Sequence, residues 1–287
     1  ISACLVGSEM CIRDRFYGVP GIVPTFSATG SENSIGSCSE TDDDGFSYCY
    51  LKSTLAELKS INLEHPIQLA GDEIEFIHGP SHHLLITKQP DSKIANESTN
   101  VMLVIKDEHN NTILTGVDSH ALVRASLEEG TGSLSGTTEI TASNGIVNFA
   151  NLQIKASGTK KIKFSKDDTS SLGGTGILES QSQSFIVHPN VPSQTQSSIS
   201  GLGPLVADDV SSSTITIYLR DEFGNGIENV TPTFEASGSN NIYHPCSPSN
   251  QQGKSDCALS STKAEIKNLH LTSVSYTHLT LPTKRIV

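Results

Sequence analysis

Cysteine is the residue type with the clearest chemistry in this chain. Cys38 and Cys49 have ten residues between them, and Cys246 and Cys257 repeat that spacing. Each pair brackets a polar turn, SETDDDGFSY or SPSNQQGKSD, with glycine at the same place, Gly45 or Gly253. Two strands folding back across such a turn bring their Cβ atoms within the roughly 4 Å a disulfide needs. A shared metal site and free buried thiols are the rival readings. No CxxC occurs, and no histidine stands at the same place in both copies, so the metal reading lacks its ligands. The spacing predicts two intradomain disulfides, Cys38–Cys49 and Cys246–Cys257, and with them an oxidising compartment.

The remaining candidates converge less well. Asp42, Asp43 and Asp44 are hard oxygen donors of the kind calcium takes. Their equivalents in the second copy are the uncharged Asn250, Gln251 and Gln252, so the triad reads as a solvated acidic turn. His78, His82 and His83 cluster beside Gly79-Pro80 without a carboxylate or thiol to complete a metal set. Asn96, Asn110 and Asn229 match the glycosylation tripeptide, and the match reads as coincidence. No nucleophile stands with a base and no carboxylates pair in a recognisable pattern. The sequence therefore implies no enzyme: no catalytic residue, no cofactor and no metal site.

Composition narrows the class. The 287 residues carry 19 basic and 31 acidic side chains, a net charge of -12, with 5% aromatics and no tryptophan. Such a charge opposes attraction to nucleic acid or an anionic membrane. No stretch approaches the ~20 apolar residues of a membrane-spanning helix, so neither nucleic acid nor membrane insertion is expected within the chain. Base or sugar stacking on exposed aromatic platforms is equally unsupported.

An internal repeat organises the elements that hold the cysteines. Shifted by 208, the chain matches itself without a gap, and 20 of 46 positions are identical between 18–63 and 226–271. Each repeat is normally one structural unit, so this reads as two copies of one domain type around a different middle domain. The expected units are 16–79, lacking its opening strands; 80–188, complete; and 189–273, cut at its C-terminus. The Pro/Ser/Gln-rich run 189–201 marks a junction.

The ends, 1–15 and 274–287, look like translated sequencing adaptors. One encoding of Met10-Cys11-Ile12-Arg13-Asp14-Arg15, read on the opposite DNA strand, gives Val-Ser-Tyr-Thr-His, and Val274 to His278 spell it. These ends are expected to find no consistent strand partner.

Local patterning is strand after strand. In 213–221, Ile215, Ile217 and Leu219 alternate with polar residues before the turn-forming DEFGNG. In 100–111, Val101, Leu103 and Ile105 do the same before DEHNN. Period-two alternation broken by turn residues about every ten positions predicts an all-β sandwich.

The stretch ISGLGPLVADDVSSSTITIYLRDEFGNGIENVTPTFEASG, with STKAEIK after it and VPGIVPTF and STLAELK in the first copy, resembles bacterial immunoglobulin-like domains of the invasin/intimin type. The middle domain, from LLITKQPDSKIANESTN to NGIVNFANLQI, resembles related bacterial repeats. The resemblance implies tandem immunoglobulin-like β-sandwiches of Greek-key topology, on the bacterial surface or secreted. It also implies a structural spacer or stalk of an adhesin-like protein. Its partners would be the neighbouring Ig-like domains of the same chain, with host or environmental ligands met by domains outside the fragment. A receptor- or glycan-binding module, or an accessory region of an extracellular enzyme, is the alternative. Many relatives lack the added cysteine pair.

Overall fold

The structure is a computed structural model that describes residues 2–4, 18–166 and 178–276. Among the described residues the only helical element is the 3₁₀ turn Val117–His120; the rest is strand and turn.

The middle region is a two-sheet sandwich. One sheet runs Leu134–Ser135, Ile146–Ile154, Thr99–Lys106, His83–Lys88; the other runs Glu139–Thr141, Leu122–Glu129, Gly158–Lys166, Phe185–His188, Lys93–Ile94. Leu178–Gln181 also pairs with Gly158–Lys166. All pairings are antiparallel except the one between Phe185–His188 and Lys93–Ile94. The predicted alternation is realised: Val101, Leu103 and Ile105 are fully buried and meet Val123, Phe149, Ile162 and Phe164 between the sheets. The rings of Phe149 and Phe164, one from each sheet, sit 5.3 Å apart. Each such side chain contributes about 1.5–3 kcal/mol when removed from water.

The last region repeats the plan at smaller scale. Ser198–Gly201, Ser213–Tyr218, Lys254–Ser261 and Asn241–His244 form one sheet. It closes over the pair Val230–Ala236 and Leu269–Tyr276. Ile215, Ile217 and Leu219 point inward as the sequence predicts, packing with Ile227, Val230, Phe234 and Leu259.

In the first region, Thr25–Ala28, Leu58–His65 and Leu69–Glu75 make a three-stranded sheet, and Asn33–Ile35 pairs with Leu51–Ser53. The two copies share register: Phe26 lies opposite Leu63 as Phe234 lies opposite Leu271, and Asn33 opposite Ser53 as Asn241 opposite Ser261. Even the bulge falls at one place, between Thr25 and Phe26 and between Thr233 and Phe234.

The adaptor-like ends depart from expectation where they are described. Val274 and Ser275 continue the ladder opposite Pro232 and Thr231, and Ser2–Cys4 pairs with Phe46–Tyr48. A strand edge offers free backbone donors and acceptors to any extended neighbour, whatever its side chains. Residues 5–17 and 277–287 lie outside the described residues.

Turn chemistry accounts for the asparagines. Asn96, Asn110 and Asn229 adopt φ of 69°, 67° and 62°, a left-handed conformation that asparagine tolerates better than most residues. The glycosylation tripeptide thus coincides with turn positions.

Candidate functional site

The two disulfides form as the spacing predicts, Cys38–Cys49 and Cys246–Cys257, with Cα atoms 4.2 and 4.1 Å apart. The loop each one closes is built alike. Asp42 Oδ1 accepts the amides of Asp44 and Phe46 at 3.1 and 2.9 Å; Asn250 Oδ1 accepts those of Gln252 and Lys254 at 3.0 and 2.9 Å. Gly45 and Gly253 follow at φ 81° and 78°. A cap of this kind needs only a side-chain oxygen two residues before the amide it receives, which explains why aspartate and asparagine interchange here. Thr41 and Ser249 anchor the loops: each hydroxyl donates to the carbonyl of Val19 or Ile227 and accepts the amide of Ile22 or Val230. Asp42 is therefore committed to its own turn, and Asp43 and Asp44 are exposed.

The histidines do not gather. His78 Nδ1 bonds the Gly79 carbonyl at 2.8 Å, while Nε2 meets the hydroxyl and amide of Thr115 at 3.1 and 3.2 Å. His82 and His83 face each other edge-on, 5.7 Å between ring centres. Among the described residues no group of three or more His, Cys, Asp or Glu could hold a metal ion.

The arrangement that sequence reasoning missed lies where the regions meet. In the turn Asp107–Asn111, Asp107 Oδ1 accepts the amides of His109 and Asn111, and Oδ2 accepts the Asn111 side-chain amide. The same Oδ2 takes the amide of Gly79, in the connection from the first region, at 2.8 Å. Held this way, the Asn111 side chain reaches the first region: it donates to the Thr54 carbonyl at 2.8 Å and accepts the Ala56 amide at 2.9 Å.

The turn Asp221–Asn225 does the same one junction later. Asp221 Oδ1 accepts the amides of Phe223 and Asn225; Oδ2 accepts the Asn225 side chain and the amide of Asn190 in the second connection. Asn225 then donates to the Lys155 carbonyl at 2.7 Å and accepts the Ser157 amide at 2.9 Å. The two joints use equivalent atoms throughout. Each has a buried carboxylate, 2% exposed at Asp107 and 0% at Asp221, saturated by donors as a buried charge must be. Burial alone would raise the Asp107 carboxyl. The bonds from the Asn111 side chain and from the amides of Gly79, Asn111 and His109 together hold it below its usual value.

Around the joints lie buried lysines. Lys59 is fully buried, its Nζ donating to the Ser31 carbonyl and pairing with Glu57. Lys160 is 1% exposed, and its Nζ donates to the carbonyl of Ser157, the residue whose amide Asn225 receives. Desolvation lowers the Lys160 pKa. Phe223 packs against the middle core, and Lys155 Nζ stands 5.7 Å from its ring centre. A signal for all this was present in the sequence, Asp-Glu-x-x-Asn after an inward-facing strand in both regions, but its partner loop lies more than fifty residues away each time.

Sheets closing over separate cores, without α-helix among the described residues, define an all-β protein of immunoglobulin-like sandwiches. The solved structures similar to it include bacterial adhesins of the invasin type. The Escherichia coli adhesin FdeC is 19% identical over 86% of this chain and 79% of that one, with a TM-score of 0.47. InvD of Yersinia pseudotuberculosis is 15% identical over 91% of this chain and 76% of that one, with a TM-score of 0.44. Invasin, a bacterial integrin-binding protein, is 14% identical over 88% of this chain, which spans 49% of it, with a TM-score of 0.41. No protein-family model and no curated protein sequence matches the chain.

Proposed function

We propose that this chain is a structural spacer, a stretch of stalk in a bacterial cell-surface or secreted adhesin-like protein. Its units are 16–79, 80–188 and 189–273, and its partners are its own neighbouring Ig-like domains. The observation that carries this reading is the repetition of one joint, atom for atom, at both connections. A single contact between regions is an accident of packing; the same carboxylate–asparagine device at two junctions is a rule for stacking units end to end. Domain interfaces of modest size normally leave relative motion, and a three-bond polar clasp at each connection restrains it. Two disulfides support an oxidising, extracellular setting. We assign no catalytic role to the hydroxyl–imidazole contacts of the chain, Ser119 with His120 Nδ1 and Thr115 with His78 Nε2. Among the described residues no helix is long and apolar enough to cross a membrane.

Small-angle scattering of the whole chain tests this. A compact globule of this length would have a radius of gyration of about 19 Å. The spacer should lie clearly above that value, unchanged by calcium or by a chelator. A compact particle, or one whose length depends on calcium, would overturn the reading.

A further inference from the structure

Both joints have a receiving half, a loop offering one carbonyl and, two residues on, one amide: Thr54 with Ala56, and Lys155 with Ser157. The repeat places a third such loop in the last region. Ser53-Thr54-Leu55-Ala56-Glu57 corresponds to Ser261-Thr262-Lys263-Ala264-Glu265. The loop has the same internal build. Ser53 Oγ accepts the Leu55 amide and donates to its carbonyl; Ser261 Oγ does both for Lys263. Glu57 receives the Ser31 amide and Lys59, and Glu265 receives the Ser239 amide and Lys267.

One thing differs. The first residue of each loop, Thr54, Lys155 or Thr262, is exposed, but the two that follow are half-buried in the engaged loops (Leu55, Ala56, Ala156 and Ser157) and exposed in the third (Lys263 and Ala264). The lysine beneath follows suit: the Lys59 side chain is 0% exposed and the Lys267 side chain 13%. Among the described residues nothing bonds the Thr262 carbonyl or the Ala264 amide.

We propose that Thr262–Ala264 is a docking socket for a further Ig-like domain carrying an Asp-x-x-x-Asn turn. Its asparagine amide would donate to the Thr262 carbonyl and accept the Ala264 amide. The inference rests on the spacer reading and names the surface by which the stalk is extended. The occupant is not a second copy of this chain. Both turns of this type that the structure describes, at Asn111 and Asn225, are already engaged within the chain. A bare carboxylate in place of the asparagine would not serve, because the socket presents an acceptor as well as a donor and only an amide answers both.

The test supplies the partner in register. Leu63 and Leu271 are equivalent in the repeat, so residues 1–271 followed by a second copy of 64–188 bring an added Asp107–Asn111 turn to the socket. In the chain as it stands, the Ala264 amide should exchange as an open loop while those of Ala56 and Ser157 are protected. In the extended chain, exchange at Ala264 should slow roughly tenfold, the effect of one hydrogen bond of ordinary strength. Asn111→Ala in the added copy should restore fast exchange. Asn111→Asp, which keeps an acceptor but sets a carboxylate against both the Thr262 carbonyl and the added Asp107, should open the clasp and do the same. Protection of Val101 and Leu103 in the added copy reports that it remains folded. Protection at Ala264 in the unextended chain, or no change on extension, would overturn the socket. So would indifference to both substitutions. Scattering of the same sample separates the two readings: an extended particle with fast Ala264 exchange removes the socket and leaves the spacer, and a compact one removes the spacer.

Discussion

Phe26 and Phe234 hold the same place in two copies of one hairpin, yet Phe234 is 7% exposed in a packed core and Phe26 is only half-buried. The difference is not local. Register, bulge, disulfide, turn cap and anchoring hydroxyl are the same in both copies. In the last region the strand Ser213–Tyr218 lies along Lys254–Ser261, pairing Ile215 with Cys257, and drives Ile215 and Ile217 into the core. In the first region the equivalent stretch, Phe46–Tyr48 and Leu51–Ser53, has Asn33–Ile35 on one side and, among the described residues, only Ser2–Cys4 on the other, and Phe46, Tyr48 and Tyr50 stay exposed. Apart from Pro24, no aliphatic or aromatic side chain of 18–79 is buried among the described residues. Hairpin geometry, then, is a property of the hairpin's own residues, whereas a core belongs to the sheet pair.

The comparison breaks first at the cores. Phe234→Ala should cost about 3–5 kcal/mol in the last region, the usual loss for a buried phenylalanine. Phe26→Ala should cost less than about half as much, because a half-buried ring leaves little cavity. Region-resolved hydrogen exchange measures the two separately, which a single melting curve of a multi-unit chain does not. Equal losses would mean that the first region has a core after all.

The disulfides should behave in the opposite way. Both close loops with a sequence separation of 11, and a cross-link acts mainly on the unfolded chain. Opening either by paired Cys→Ser substitution should therefore cost about the same, close to 3 kcal/mol, despite the different burial of Cys257 and Cys49. Thermal scans of the two double variants under oxidising conditions decide it. A loss at Cys246–Cys257 twice that at Cys38–Cys49 would show that native packing, not chain entropy, sets the cost.

How much of this was legible follows the same line between local and distant. The spacing of the cysteines and the alternation around Ile215 and Val101 depend on neighbours within ten residues, and they read directly. The acidic triad misleads in isolation, and the second copy corrects it, because Asn250 performs the task of Asp42. The joints were opaque. Asp-Glu-x-x-Asn is legible as a turn, but that Asn111 engages Thr54 and Asn225 engages Lys155 depends on how whole units stack. The burial of Lys59, Lys160 and Lys166 was likewise invisible. Lys166 lies beside Asp118 at 2.9 Å and bonds Ser81, which also donates to Asp118, across 85 residues of chain. Only a folded sandwich brings those three together.

The joints allow a sharper comparison, between the two connections. Asn111→Ala and Asn225→Ala each delete two bonds to the preceding region and leave a buried aspartate short of a donor. Each should weaken coupling by about 1–3 kcal/mol and broaden the distance between spin labels placed on either side of that joint alone. Exchange in the cores should not change. Because Phe223 also packs against the middle core, the second joint should loosen less than the first. Equal broadening at both would show that the phenylalanine contributes nothing to the clasp.

The smallest effect separates Glu57 from Glu265. The lysine two residues on bonds each carboxylate, as does the backbone of Ser31 or Ser239, and both pKa values are lowered. Only Glu265 has a further cation, Lys263 at 2.9 Å, where the first copy has Leu55. Hydrogen bonds from Lys267, Ser239 and Lys263 bring Glu265 to about 2 from an ordinary 4.5. A carboxylate with a depressed folded-state pKa supports folding above its unfolded value, and the support is lost as pH falls through the folded one. For Glu265 that window runs from about 4.5 down to about 2, and the contribution of so exposed a pair is small. Lys263→Leu should raise the Glu265 titration toward that of Glu57 without moving Glu57 itself, as followed by carboxyl chemical shifts between pH 2 and 6. Glu265→Gln should flatten the acid response of the Ser239–Lys267 loop across the same range. If Lys263→Leu leaves the Glu265 midpoint where it was, Lys267 and the Ser239 amide alone set it, and the two copies are electrostatically alike despite the substitution.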